Sequence, residues 1–212
     1  MKSIVKLIRE PAVTESDLGR VAHFTHTAIG SPFQEEDDEQ RRVGLTVACF
    51  RLKHMSVFEF ADLTFDVTCP IYVARQLVRH RNGTFMEKSL RSLEPLDLDG
   101  YNAYTSDDDP FDPFHDYRGV YADALKTYRE LIEAGERKER ARAVLPLGTP
   151  TEFLWRISLR SLFNVFDQRL HPAAQEETRT VVQQMYDLAE KFYPNVLKEW
   201  KKDKEGTKAE QQ

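Results

Sequence analysis

The chain has 212 residues, 41% hydrophobic and 31% charged, with a formal charge of −5. That length and composition suit one soluble globular domain with a substantial core. The acidic balance argues against a general nucleic-acid or membrane-surface protein, because non-specific binding to phosphate needs a basic surface.

In chain order, Ile4-Val5-Lys6-Leu7-Ile8 reads as an opening strand, and the start at Met1 lacks the pattern of a signal peptide. Ser16-Asp17 suits the start of a helix over 17–28, which Gly30-Ser31-Pro32 would end. The acidic run Glu35-Glu36-Asp37-Asp38-Glu39 complements a helix N-terminus. Val43, Val47 and Phe50 then follow at helical spacing. Cys49 falls in this helix and reads as a small core residue. The two cysteines, Cys49 and Cys69, form no C-x-x-C pair, which fits a reducing, cytoplasmic setting.

His54 to Phe60 reads as a connector, and Leu63-Thr64-Phe65-Asp66-Val67 alternates as a half-buried strand. Pro70 to Val78 reads as a short amphipathic helix with Pro70 at its first position. Beyond a loop-like region from Glu94 to Pro113, helices are expected over 114–134 and 136–144. Thr151 to Trp155 is ambiguous between strand and helix. Helices follow over 157–169 and 173–192, then a short segment ends near Trp200. The expected architecture is therefore mixed α+β, with residues 1–200 as one domain and 201–212 as a polar, frayed tail. No run approaches the roughly 20 apolar residues of a membrane span. No G-x-G-x-x-G or phosphate-loop sequence occurs.

The chemistry concentrates in Arg79-His80-Arg81 and the residues that follow to Arg91. A buried helix leads into them and Asn82-Gly83 signals a turn, so the stretch reads as a polar loop on a rigid base. A solvated basic loop is the plainer reading of Arg79, Arg81 and Arg91. Against it stand Thr84, Ser89 and Gly83, which with arginine forks form a phosphate- or carboxylate-binding pattern. His80 is open between structural hydrogen bonding, ring stacking and acid–base work. Ser89 has no activating base at close spacing, so phosphate binding suits it better than nucleophilic attack. Asp107-Asp108-Asp109 with His115-Asp116 suggests a metal site, but a solvated acidic loop is the better reading, since no ligand spacing is present. No metal is expected.

Arg79-His80-Arg81, seven residues and then Ser89 resemble the signature of the flavin-dependent thymidylate synthases. Phe58-Glu59, Leu63 to Val67, Pro70 to Gln76, Ala141 to Leu147 and Arg160 to Asn164 resemble that family in the same order. The resemblance implies a compact α+β fold and a homotetramer with FAD at subunit interfaces. It implies reductive C5-methylation of a uracil nucleotide, dUMP to dTMP, with methylenetetrahydrofolate as carbon donor and NADPH as reductant. Among its implied cofactor contacts are His54, Ser56, Arg79, His80, Arg81 and Glu87, with Ser158, Arg160 and Asn164 from a neighbouring subunit. Its implied nucleotide contacts are Gln76, Arg79, Glu87, Ser89, Arg91 and Arg142, and Arg169 would act on the uracil ring. The family pattern has Ser, Asn and Tyr where this chain has Thr84, Met86 and Ser92, and a histidine common after Phe-Glu is Phe60. These departures raise two alternatives, UMP as the substrate or a non-catalytic homologue that binds flavin or nucleotide.

Overall fold

The computed structural model describes residues 3–25, 29, 38–93, 95 and 115–210, without the side chains of 115–118 and 207–210. Its strands are β1 (Ile4–Leu7), β2 (Asp62–Pro70), β3 (Gly83–Glu87) and β4 (Pro150–Ser158). Its helices are α1 (Glu15–Phe24), α2 (Glu39–Arg51), α3 (Ile71–Leu77), α4 (His115–Glu133), α5 (Lys138–Ala141), α6 (Leu159–Arg169), α7 (Glu176–Glu190) and α8 (Pro194–Glu210). The strands form one antiparallel sheet in the order β1-β2-β4-β3. The α+β class expected from the element order is the one observed.

Period-two alternation makes the sheet two-faced. Leu63, Phe65, Val67 and Cys69 of β2 and Phe153, Trp155 and Ile157 of β4 are buried on one side. Against that side pack Val73, Ala74 and Leu77 of α3, Leu162, Val165 and Phe166 of α6, and Val181, Val182 and Met185 of α7. The other side carries Asp62, Thr64, Asp66 and Thr68 of β2, with Leu154 and Arg156 of β4, all less buried.

Several ends are fixed by caps. Thr14, two residues before the expected start, caps α1 in a reciprocal pair with Asp17. Glu15, 5% exposed, sits between α1 and the N-terminus of α8. Its carboxylate accepts from the backbone N–H of Asn195 and Val196 and from Asn195 Nδ2. A side chain from one helix thus satisfies orphan donors of another. Gly19 lets α1 and α2 approach, since a Cβ there would lie 2.1 Å from the Arg42 carbonyl oxygen.

The end of α2 has consequences for the site. Lys53 N–H donates to Phe50 O and His54 N–H to Cys49 O, the paired bonds that close a helix through a left-handed residue. Lys53 takes that conformation with φ 59°, the one non-glycine residue at positive φ among the described residues. Its ammonium pairs with Asp203 at 3.1 Å and lies 5.0 Å from the Phe50 ring centre.

Three expectations change. The stretch after Arg81 is not all loop: Gly83–Glu87 is an edge strand against β4. Phe85 is its inward residue, stacked on Trp155 at 4.8 Å. Thr151 to Trp155, ambiguous in the sequence, is strand β4. The last helix continues beyond Trp200 to Glu210, with Lys201 on Glu190 and Lys204 on Asp167. Gly30 to Pro32 and most of the 94–113 loop, with its aspartate run, lie outside the described residues.

Candidate functional site

Around the Arg-His-Arg stretch, the middle residue turns inward while its neighbours stay out. His80 is 8% exposed, whereas Arg79 and Arg81 are exposed and make no ion pair among the described residues. His80 Nε2 accepts from Arg169 Nε at 3.0 Å, and Arg169 Nη2 donates to the Gln76 carbonyl at 3.3 Å. Burial first, and the Arg169 charge second, push the His80 pKa below its ordinary value. The ring is therefore neutral near pH 7, with its proton on Nδ1. Gln76 has its own side-chain amide on Gln175 Oε1. Gln76, His80 and Arg169 thus form one cluster joining α3, α6 and the loop before α7.

At the other end of β3 lies a cavity of about 430 Å³, lined on one side by α3 and on the other by Glu87 to Arg91, Arg142 and Thr151. Its size lies within the range of small-ligand sites. Arg75 and Arg91 have no carboxylate partner among the described residues. Arg142 Nε reaches only the Glu139 carbonyl among the described residues, at 3.3 Å. Ser89 holds the turn, its hydroxyl accepting from Arg91 N–H at 3.3 Å. Lys88 is neutralised by Glu152 at 2.6 Å. Glu87 is the pocket's carboxylate, and Thr151 Oγ1 donates to its Oε1 at 2.6 Å. Three guanidinium groups facing one carboxylate leave a net positive pocket on an acidic protein.

A second cavity, of about 580 Å³, lies beside the α2 terminus. Leu45, Ala48, Leu52, Met55 and Val57 give it apolar walls, and Lys53, His54, Ser56 and Arg160 are its polar lining. The left-handed Lys53 turn is what brings His54 to this wall. Arg160 pairs with Glu59.

The structure therefore divides the expected site residues into groups. Glu87, Ser89, Arg91 and Arg142 share the cationic pocket; His54, Ser56 and Arg160 share the apolar one; Gln76, His80 and Arg169 form the part-buried cluster. Arg79, Arg81, Ser158 and Asn164 line neither cavity. Ser158 caps α6 through Ser161 N–H, and Asn164 accepts from Gln168. The motif spans roughly 14 Å from Gly83 to Glu87, because it is a strand. Met86 is 72% exposed, on the side of β3 away from Phe85 and opposite Leu154, so it does not line the nucleotide-sized pocket. Arg75, Lys88, Thr151 and Lys53 are lining residues that the sequence reading did not single out. Arg75 stands directly before Gln76 on an amphipathic helix, a signal that was available. Thr151 meets Glu87 only through the β3–β4 register.

Both thiols are buried. Burial pushes Cys69 up to about 12, with the Glu87 charge adding to it, and raises Cys49 as well. An activated nucleophile needs the opposite shift. Among the described residues, no cluster of histidine, cysteine and carboxylate is arranged to hold a metal, and no helix is long and apolar enough to cross a membrane.

Comparison with known proteins gives concordant results. The profile of a family described as thymidylate synthase complementing protein matches residues 11–195. A flavin-dependent thymidylate synthase of Synechocystis sp. is 30% identical over 181 residues, covering 79% of this chain and 83% of that protein. One from Thermotoga neapolitana is 36% identical over 151 residues, 68% of each chain. One from Dictyostelium discoideum is 29% identical over 71% of this chain, which spans only 55% of that protein's length. Among solved structures, the UMP/dUMP methylase PolB from Streptomyces cacaoi, bound with 5-Br dUMP, matches with a TM-score of 0.78 and 25% identity. The match covers 94% of this chain and 95% of that one.

Proposed function

This chain belongs to the thymidylate synthase complementing protein family, and from that premise we propose how two of its cavities serve C5-methylation of a uracil nucleotide. It is a flavin-dependent methyltransferase. Our reading takes dUMP as the substrate, methylenetetrahydrofolate as the carbon donor and NADPH as the reductant. The observation that carries it is the net positive pocket of Arg75, Ser89, Arg91 and Arg142. Guanidinium forks pair bidentately with a phosphate, and each charge-assisted bond contributes roughly 1.5–3 kcal/mol.

The residues around the second cavity fit a flavin. Apolar walls suit a planar ring system, and His54, Ser56 and Lys53 offer hydrogen bonds at its edge. When bound, a reduced flavin supplies the hydride that the methylation consumes. The inert state of Cys49 and Cys69 agrees with a route that needs no cysteine nucleophile. Making C5 nucleophilic places negative charge on the N3/O4 region of the uracil, where a fixed guanidinium stabilises it. We assign that role to Arg169, whose Nε and Nη2 are held by His80 and Gln76 and whose Nη1 makes no hydrogen bond among the described residues. Self-association as a homotetramer gives Arg79, Arg81, Ser158 and Asn164 their place, since within one chain they line neither cavity.

A second substrate, UMP, is favoured by one observation: the solved relative PolB is described as a UMP/dUMP methylase. The outward position of Met86 removes one of the sequence-based reasons for a changed pocket. The test is anaerobic reaction of the flavin-loaded protein with NADPH, methylenetetrahydrofolate and either nucleotide. We expect dUMP-dependent formation of dTMP. Preference for UMP would replace dUMP in this reading, and methylation of neither nucleotide would overturn it.

A further inference from the structure

Among the described residues, Glu87 is the one carboxylate lining the cationic pocket, where Arg75, Lys88, Ser89, Arg91 and Arg142 all supply hydrogen-bond donors. A ligand that fills such a site presents an anion to the guanidinium groups and a donor to Glu87. The carboxylate can discriminate only if it is held still, because a glutamate side chain has three rotatable bonds. The restraint comes from Thr151. Its Oγ1 donates to Glu87 Oε1 at 2.6 Å, and Oε2 has no partner among the described residues.

We propose that Thr151 is a positioning residue: it fixes Glu87 so that Oε2 accepts from the base or sugar end of the nucleotide, while the arginines take the phosphate. The inference rests on the reading of this pocket as the uracil-nucleotide site. Thr151 is suited to the task because it is 5% exposed and lies in β4, where its β-branched side chain is stiff. Glu87 opposes Phe153 in the ladder, so Thr151 is its diagonal neighbour on the inner face. Thr151 in turn opposes the buried Cys69 on the other side of β4, so its hydroxyl reaches Glu87 from a fixed place in the sheet.

The test is equilibrium binding of dUMP and of inorganic phosphate to the flavin-loaded protein, for wild type, Thr151→Val and Thr151→Ser. Thr151→Val keeps the shape and removes the donor; Thr151→Ala replaces it should the valine variant not fold. We expect the dUMP dissociation constant to rise about tenfold in Thr151→Val, near the worth of one hydrogen bond to a charged group. Phosphate binding stays unchanged, and Thr151→Ser restores dUMP affinity. Unchanged dUMP affinity in Thr151→Val, or equal weakening of dUMP and phosphate, overturns the assignment. A wild-type protein that binds neither dUMP nor UMP removes the nucleotide reading and this inference together, which distinguishes the two failures.

Discussion

Two sets of arginines divide this molecule. Arg51 and Arg156 lie on the surface with both arms of the fork engaged, on Glu199 and on Asp62. Arg75, Arg91 and Arg142 line a pocket with no carboxylate partner among the described residues. The same side chain is neutralised in one region and left open in the other. Surface pairs of the first kind contribute little to stability. A cluster of the second kind repels itself until an anion arrives, so it belongs to function. The part-buried cluster of Gln76, His80 and Arg169 and the buried Glu15 cap are a third case, polar groups paired with one another within the fold.

This division makes separable predictions. Open arginines should matter for binding and not for folding. Arg142→Ala is expected to raise the KM for dUMP roughly ten- to a hundredfold, the worth of a charge-assisted bond. Its melting temperature should equal or exceed that of the wild type. Arg156→Ala should leave KM unchanged, and a comparable KM effect there would break the comparison.

Polar groups paired within the fold should register in stability: Glu15 lines neither cavity and should show that alone, whereas loss of Arg169 should also slow methylation through its role at the uracil ring. Arg169→Ala strands His80 Nε2 and the Gln76 carbonyl, and denaturant unfolding should register a loss of about 1–3 kcal/mol. Glu15→Ala leaves the first N–H groups of α8 without their acceptor, with a loss of about 1–2 kcal/mol and no change in nucleotide affinity.

A pH effect comes next in size. The folded-state pKa of His80 lies below its ordinary value of 6.5, so the unfolded chain binds the extra proton first. The stability that a neutral His80 contributes is present above about 6.5 and is lost as pH falls toward the folded value. Melting curves of His80→Gln should therefore fall less steeply with acid than those of the wild type. The smallest effect concerns Lys53. Glycine there relieves a left-handed conformation costing roughly 1 kcal/mol but removes the Asp203 pair, so Lys53→Gly should change stability little.

Much of this arrangement was legible in the sequence because it depends on local pattern. The apolar spacing of α6 and α7 and the alternation of β2 follow from periods of 3.6 and 2. The motif residues resembled a known family in order. What escaped reading depends on partners distant in the chain. β3 is five residues long and begins at the glycine of an Asn-Gly turn signal, and its pairing with β4, with Phe85 on Trp155 and Gly83 close to that indole, makes it a strand. A Cβ on Gly83 would lie 2.4 Å from Trp155 Nε1. Thr151 became a neighbour of Glu87 through sheet register, which no local signal encodes. The tail beyond Trp200 looked too polar to order, yet its lysines and Asp203 meet opposite charges from α7, α6 and the α2 terminus. Met86 looked like a change in the substrate pocket because the family pattern has an asparagine there; on a strand, its side chain and that of Glu87 point to opposite faces.

The most direct test of the central claim is the mass of the nucleotide product. The flavin-loaded protein is given NADPH, methylenetetrahydrofolate and dUMP without oxygen, with Arg142→Ala run in parallel. The account predicts a product with one methyl group at C5 from the wild type, and much slower product formation from the variant at low dUMP. An unmodified nucleotide from the wild type, or equal rates from both proteins at low dUMP, would contradict it.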